Sequence, residues 1–203
     1  FEQNKLFSRS VGEESDIVTK EMFSWEDKEN IFLTLRPELT APVARAYNQH
    51  NLGNLSPIHR FYYIGPLFRR ERPQKGRQRQ FHQFGIEAFG SNFAEQDAEI
   101  IALAWHLLAH FRLTNKIDLQ VNSIGTSECR AGYRTALKQF LKPYFDELSE
   151  ISKRRFNTNP LRILDSKNKK EQTILKNSPR ISDYYTEDDE EHFNEVKTYL
   201  KAM

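Results

Sequence analysis

A chain of 203 residues with 38% hydrophobic and 29% charged side chains has the composition of a soluble globular protein, folded as one medium domain or two small ones. Its net charge of +2 does not mark the whole chain as a nucleic-acid binder, and its one cysteine, Cys129, excludes an internal disulfide and any CxxC metal or redox pair. No apolar run approaches the roughly 18 residues that cross a bilayer and no secretory signal stands near Phe1, so a cytoplasmic chain without a membrane partner is expected.

Asp16 to Trp25 and Asn30 to Leu35 are two strand-like runs around the charged turn EDKEN, a pattern that predicts a hairpin. The segment LRPELT, residues 35–40, then leads into a helix expected from about Ala41 to His50. Thr40 is its expected N-cap, and Pro42 is tolerated in the first turn. Glu38 and Thr40 thereby stand at a helix entrance.

A loop over 51–57 precedes the most informative stretch, FYYIGPLFRRERPQKGRQRQFHQFGIEAF, residues 61–89. Two runs rich in aromatic and β-branched residues, 61–68 and 81–89, flank a basic loop containing Pro73 and Gly76, which predicts strand, loop, strand. Side chains alternate along a strand, so Arg69 and Glu71 share one face of the first, and Phe81, Gln83, Gly85 and Glu87 share one face of the second. Aligned in register, they form a surface unsuited to a core and suited to a polar ligand.

Arg69 and Arg77 offer planar donor forks matched to phosphate oxygens. Phe81 can stack on a purine, and Glu71 can accept its amino hydrogens. Glu38, Thr40, Gln83 and Glu87 suit a small amine-bearing ligand beside the phosphates, such as an amino acid. His82 falls on the opposite strand face, and His106 and His110 lie on the following helix, where packing or surface roles are expected rather than metal ligation.

Beyond the hairpin, a helix is expected from about Glu95 to Phe111, burying Ile100, Ile101, Leu103, Ala104, Leu107, Leu108 and Phe111. Ile117 to Val121 alternates as a further strand would. Gly125 then supplies a turn, with Ser127 as the cap of the next helix. From there helical patterns alternate with breaks at Pro143, Pro160 and Pro179, and the carboxylates of Thr186 to Glu191 read as helix capping. The helical pattern of Phe193, Val196, Tyr199 and Leu200 runs to Met203 without a stop signal, as in a piece of something longer.

LRPELTAPVARA followed by FYYIGPLFRRERPQKGRQRQFHQFGIEAFG resembles the catalytic core of histidyl-tRNA synthetase, the second string resembling motif 2 of class II synthetases. NSIG, YRTAL, FNTNPLRILDSK and SDYY resemble the helical insertion of the bacterial-type enzyme, so the likeness covers nearly the whole chain. It implies an α+β fold, an antiparallel β-sheet with flanking helices over residues 1–125, and a small helical insertion domain over 126–203. It also implies a ligase that activates histidine with ATP, accompanied by Mg2+, and transfers it to tRNA(His) as a homodimer.

By the same resemblance Arg69 holds the α-phosphate and the histidine carboxylate, Glu71 the adenine amino group and Arg77 the γ-phosphate, while Phe81 stacks on adenine. Glu38, Thr40, Gln83 and Glu87 hold the histidine. Leu39 stands where many relatives have Gly. No equivalent of the family's first or third motif, its RGLDYY-like segment or its anticodon-binding domain is found, so the chain alone is expected to be inactive. Two alternatives stand beside this reading: a non-catalytic synthetase-like regulatory subunit of histidine biosynthesis, and an RNA-binding domain whose basic loop contacts phosphates.

Overall fold

A computed structural model describes residues 1–12 and 15–203. They form two compact units, Phe1–Asn92 and Phe93–Met203. The expected division into 1–125 and 126–203 follows motifs, whereas this one follows packing.

In the first unit, β1 (Glu2–Gln3), helix α1 (Asn4–Val11), β2 (Phe23–Glu26) and β3 (Phe32–Leu35) precede helix α2 (Thr40–Gln49) and the long strands β4 (His59–Phe68) and β5 (Gln80–Phe89). All pairing is antiparallel, in the order β1-β3-β2 and, separately, β4-β5. The α+β class is therefore as expected, with the strands in two ladders. Only the end of the expected Asp16–Trp25 strand pairs; Ile17–Glu21 is instead a wide helical turn. There Ile17 and Val18 pack on the buried cluster of Phe7, Met22 and Ala41, a contact that outweighs their strand propensity.

The β2–β3 turn closes through Asp27, whose Oδ1 accepts from the Glu29 and Ile31 amides at 2.9 Å each. Asn30 takes the left-handed conformation this needs, with φ of 57°.

Two sets of contacts fix the β4–β5 hairpin. At its base Tyr47 of α2 stacks on Phe89 with ring centroids 4.6 Å apart, and meets His59 and Phe61 edge-on. At the loop end the Phe68 amide donates to Arg36 O at 3.0 Å, Arg36 Nε to Pro66 O at 2.9 Å, and Arg69 Nε to Pro37 O at 2.9 Å. The LRPELT segment is thereby tied to the hairpin by two side chains and one backbone bond.

The second unit contains α3 (Ala94–His110), α4 (Ser127–Leu141), α5 (Glu150–Thr158), α6 (Lys169–Leu175) and α7 (Glu187–Ala202). Tyr133, Leu137, Leu141 and Ile163 form its core. Helix α3 packs along α7 and buries Ala94, Ala98 and Ala102, small residues spaced four apart. The broader apolar face expected on α3 is only partly covered: Ile100, Ile101, Leu107 and Leu108 are half-buried, whereas Leu103 is 50% and Phe111 59% exposed.

Ile117–Val121 is no strand; Ile117 is extended, but no ladder partner runs beside the segment among the described residues. The cap of α4 is Thr126 rather than Ser127, since the left-handed Gly125 (φ 63°) ends the turn one residue earlier. Thr126 Oγ1 accepts from the Cys129 amide at 3.4 Å.

Two buried carboxylates organise this unit. Glu171 accepts from the Ser149 amide at 2.7 Å, from Ser152 Oγ at 2.9 Å and from Ser166 Oγ. Asp189 accepts from the Thr126 amide at 2.7 Å and the Thr186 amide at 3.0 Å, completing a capping box at the start of α7. The expected capping role of the Thr186–Glu191 carboxylates is thus carried by Asp189.

Candidate functional site

The register of β4 and β5 decides which side chains meet. Phe61, Tyr63, Gly65 and Leu67 lie opposite Glu87, Gly85, Gln83 and Phe81 in turn, so these eight residues share one face. The Arg69 amide donates to Arg79 O at 2.9 Å, which continues the pairing one step beyond the strands. The guanidinium of Arg69 lies over the Phe81 ring, 5.4 Å from its centroid. His82 faces Pro66 on the other side, as alternation predicts.

The entrance of α2 borders the same face. Thr40 Oγ1 donates to Glu87 Oε1 at 2.6 Å. Thr40 is therefore not the N-cap expected from its position; its hydroxyl is drawn across to the hairpin. Glu38 takes the capping task, its two carboxylate oxygens accepting from the Ala41 amide at 3.2 and 3.1 Å.

Burial pushes the Glu38 carboxyl above its ordinary range, opposed by the hydrogen bonds from the Ala41 and Thr40 amides; the charge of Glu87 adds to the rise, and Arg69 opposes it. Such tension, two acidic side chains and one arginine around a half-buried surface, is relieved by a bound cation.

On the loop, Arg77 Nη1 meets Glu71 Oε2 at 2.9 Å, and Gly76 turns the chain with φ of 81°. Glu71 and Arg77 are thus paired with each other rather than splayed. Glu38, Thr40, Arg69, Phe81, Gln83 and Glu87 are gathered along one surface, entirely within the first unit.

Two participants escaped the sequence reading. Tyr63 lies across Gly85, where an added Cβ would come within 2.2 Å of its ring, and its hydroxyl accepts from Gln83 Nε2 at 3.3 Å. Arg36 lies over Gly65, its Nη2 3.1 Å from where a Cβ would stand. A glycine inside a strand signals such close approach, and Gly65 and Gly85 were that signal.

A basic loop between paired strands, an arginine seated on an aromatic ring, and acidic and hydroxyl groups at an adjoining helix entrance belong to part of a fold of the class II aminoacyl-tRNA synthetase type. The family model for histidyl-tRNA synthetase matches residues 6–180. The chain is 49% identical over its whole length to the histidine–tRNA ligase of Protochlamydia amoebophila (strain UWE25), and 51% identical over 99% of its length to that of Chloroherpeton thalassium (strain ATCC 35110 / GB-78). The chain spans about half the length of these curated relatives, 48% and 47%.

Among solved structures, apo histidyl-tRNA synthetase of S. aureus superposes with a TM-score of 0.74 at 32% identity, covering 99% of this chain and 44% of that one. An ATP phosphoribosyltransferase regulatory subunit/histidyl-tRNA synthetase from Bacillus halodurans C shares the fold at 22% identity and a TM-score of 0.54, over 96% of this chain and 53% of that one. The chain belongs to the histidyl-tRNA synthetase family.

Proposed function

We propose that this chain is the motif 2 portion of a histidine–tRNA ligase, residues 1–125 contributing to the catalytic domain and 126–203 forming the helical insertion. The observation that carries the reading is the convergence of Glu38, Thr40, Arg69, Gln83 and Glu87 on one hairpin face, cationic at one end and acidic at the other. A zwitterionic amino acid fits that polarity, its carboxylate toward Arg69 and its amine-bearing groups toward Glu38 and Glu87.

In the first step a histidine carboxylate oxygen attacks the α-phosphorus of ATP, the bond to the bridging oxygen breaks, and pyrophosphate leaves. A ribose hydroxyl of tRNA(His) then attacks the resulting acyl-adenylate and AMP departs. Arg69 holds the histidine carboxylate against the α-phosphate and offsets the charge developing there. Its Nε is committed to Pro37 O, so the two Nη groups are the ends that meet the ligand.

Phe81 carries Arg69 on one ring face and offers the other to adenine. Glu71 and Arg77 exchange their mutual ion pair for the adenine amino group and the γ-phosphate. Among the described residues no group of three His, Cys, Asp or Glu side chains could hold a metal ion. Mg2+ is expected to accompany ATP and would offset charge on its phosphates. Among the described residues no helix is long and apolar enough to cross a membrane. The proposed ligase would act in the cytoplasm as a homodimer, as its family resemblance implies.

Calorimetry of the full-length protein with histidine and ATP, followed by charging of tRNA(His), tests the reading. Saturable binding of both ligands with charging is expected; RNA binding without either small ligand, or ligand binding without charging, contradicts it.

A further inference from the structure

The Gln83 carboxamide can present either of two ends to a ligand, an NH2 that donates or an oxygen that accepts. Which end it presents decides the polarity of the amine-binding part of the surface. In this structure Nε2 donates to Tyr63 Oη at 3.3 Å, which leaves Oε1 as the end available to a ligand. Glu38 and Glu87, the carboxylates on the same surface, interact with each other through their charges, so with the amide in this orientation all three groups are acceptors. Only a donor-rich cationic group satisfies such a set. The opposite orientation would put an NH2 there and compete with the ligand's own hydrogens.

Tyr63 itself has little freedom. It lies directly opposite Gly85 in the ladder, and its ring occupies the space above that glycine. Gln83 and Glu87 flank Gly85 on the same face, two residues to either side. The missing Cβ at 85 is what lets the ring lie between them.

We propose that Tyr63 is a positioning residue for the amino-acid subsite: seated over Gly85, it holds the Gln83 carboxamide in place through its hydroxyl, and in the arrangement seen here the carboxamide oxygen is the end turned to the ligand. The assignment rests on the histidine reading above. Tyr63 acts through Gln83.

The test is a double-mutant cycle on the full-length protein, with histidine and ATP affinities measured separately by calorimetry. Tyr63→Phe is expected to weaken histidine binding about fivefold, the scale of one neutral hydrogen bond, and to leave ATP binding unchanged. In a Gln83→Ala background the same substitution is expected to change nothing further. Gly85→Ala keeps the hydroxyl but displaces the ring, and should reproduce the histidine defect; thermal melts check that each variant is folded. Unchanged histidine affinity in Tyr63→Phe, or an equal loss with and without Gln83, overturns the proposal. Absence of histidine binding by the unsubstituted protein would instead mean that the histidine reading itself is wrong, and the role of Tyr63 falls with it.

Discussion

Single residues here serve two purposes, and their substitutions must be read accordingly. Arg69 ties the LRPELT segment to the hairpin through Nε and presents its Nη groups to the site, so Arg69→Ala removes both functions. Glu38 caps α2 while held above its ordinary range by burial first and, among the neighbouring charges, by Glu87. A carboxyl whose folded value is raised favours the protonated state, so its ionised form costs stability once the pH has risen through that value. Glu38→Gln keeps an amide-accepting oxygen and should therefore melt at a higher temperature near neutral pH while binding histidine more weakly. By the same sign, histidine affinity of the unsubstituted protein should fall as the pH drops through the Glu38 value, because the ligand's cation needs the ionised carboxylate. At this scale the sequence identified which side chains converge but misjudged what some of them do. Thr40 looked like a cap because of its position, and only the placement of Glu87 opposite reveals where its hydroxyl goes.

At the scale of elements, β4 and β5 were legible to within two residues because long alternating aromatic runs around a basic loop admit few other folds. Their shared face followed from alternation alone. Ile117–Val121 was misread for the converse reason: alternation makes a segment compatible with a strand, and pairing makes it one. The buried Glu171 could not be read at all, since two of its three donors come from Ser149 and Ser152, 22 and 19 residues away in the chain, and only Ser166 is local. Burial alone would raise this carboxyl, but the bonds from Ser166, Ser149 and Ser152 outweigh it and hold it below its ordinary 4.5. Its stabilisation is thus complete above that ordinary value and is lost as the pH falls through the lower folded one. Glu171→Ala leaves buried donors without an acceptor, each worth about 1–3 kcal/mol. Urea unfolding of the second unit's helical signal should show a lower midpoint; an unchanged midpoint would mean that the serines find other partners.

For the molecule as a whole, residues 36–87 hold the candidate site, whereas the functional reading reaches beyond what this chain spans. The family was legible because LRPELT and the hairpin carry specific chemistry at fixed spacing. The packing of α3 with α7 was not legible, because the two helices lie more than 75 residues apart and no local pattern announces the contact. If the face shared by Arg69, Gln83 and Glu87 is where histidine meets ATP, the full-length protein exchanges pyrophosphate into ATP only when histidine is present. That histidine-dependent exchange should fall on the order of a hundredfold or more in Arg69→Ala, the scale of one donor aimed at developing charge. Exchange by a folded Arg69→Ala protein at the unsubstituted rate would contradict it.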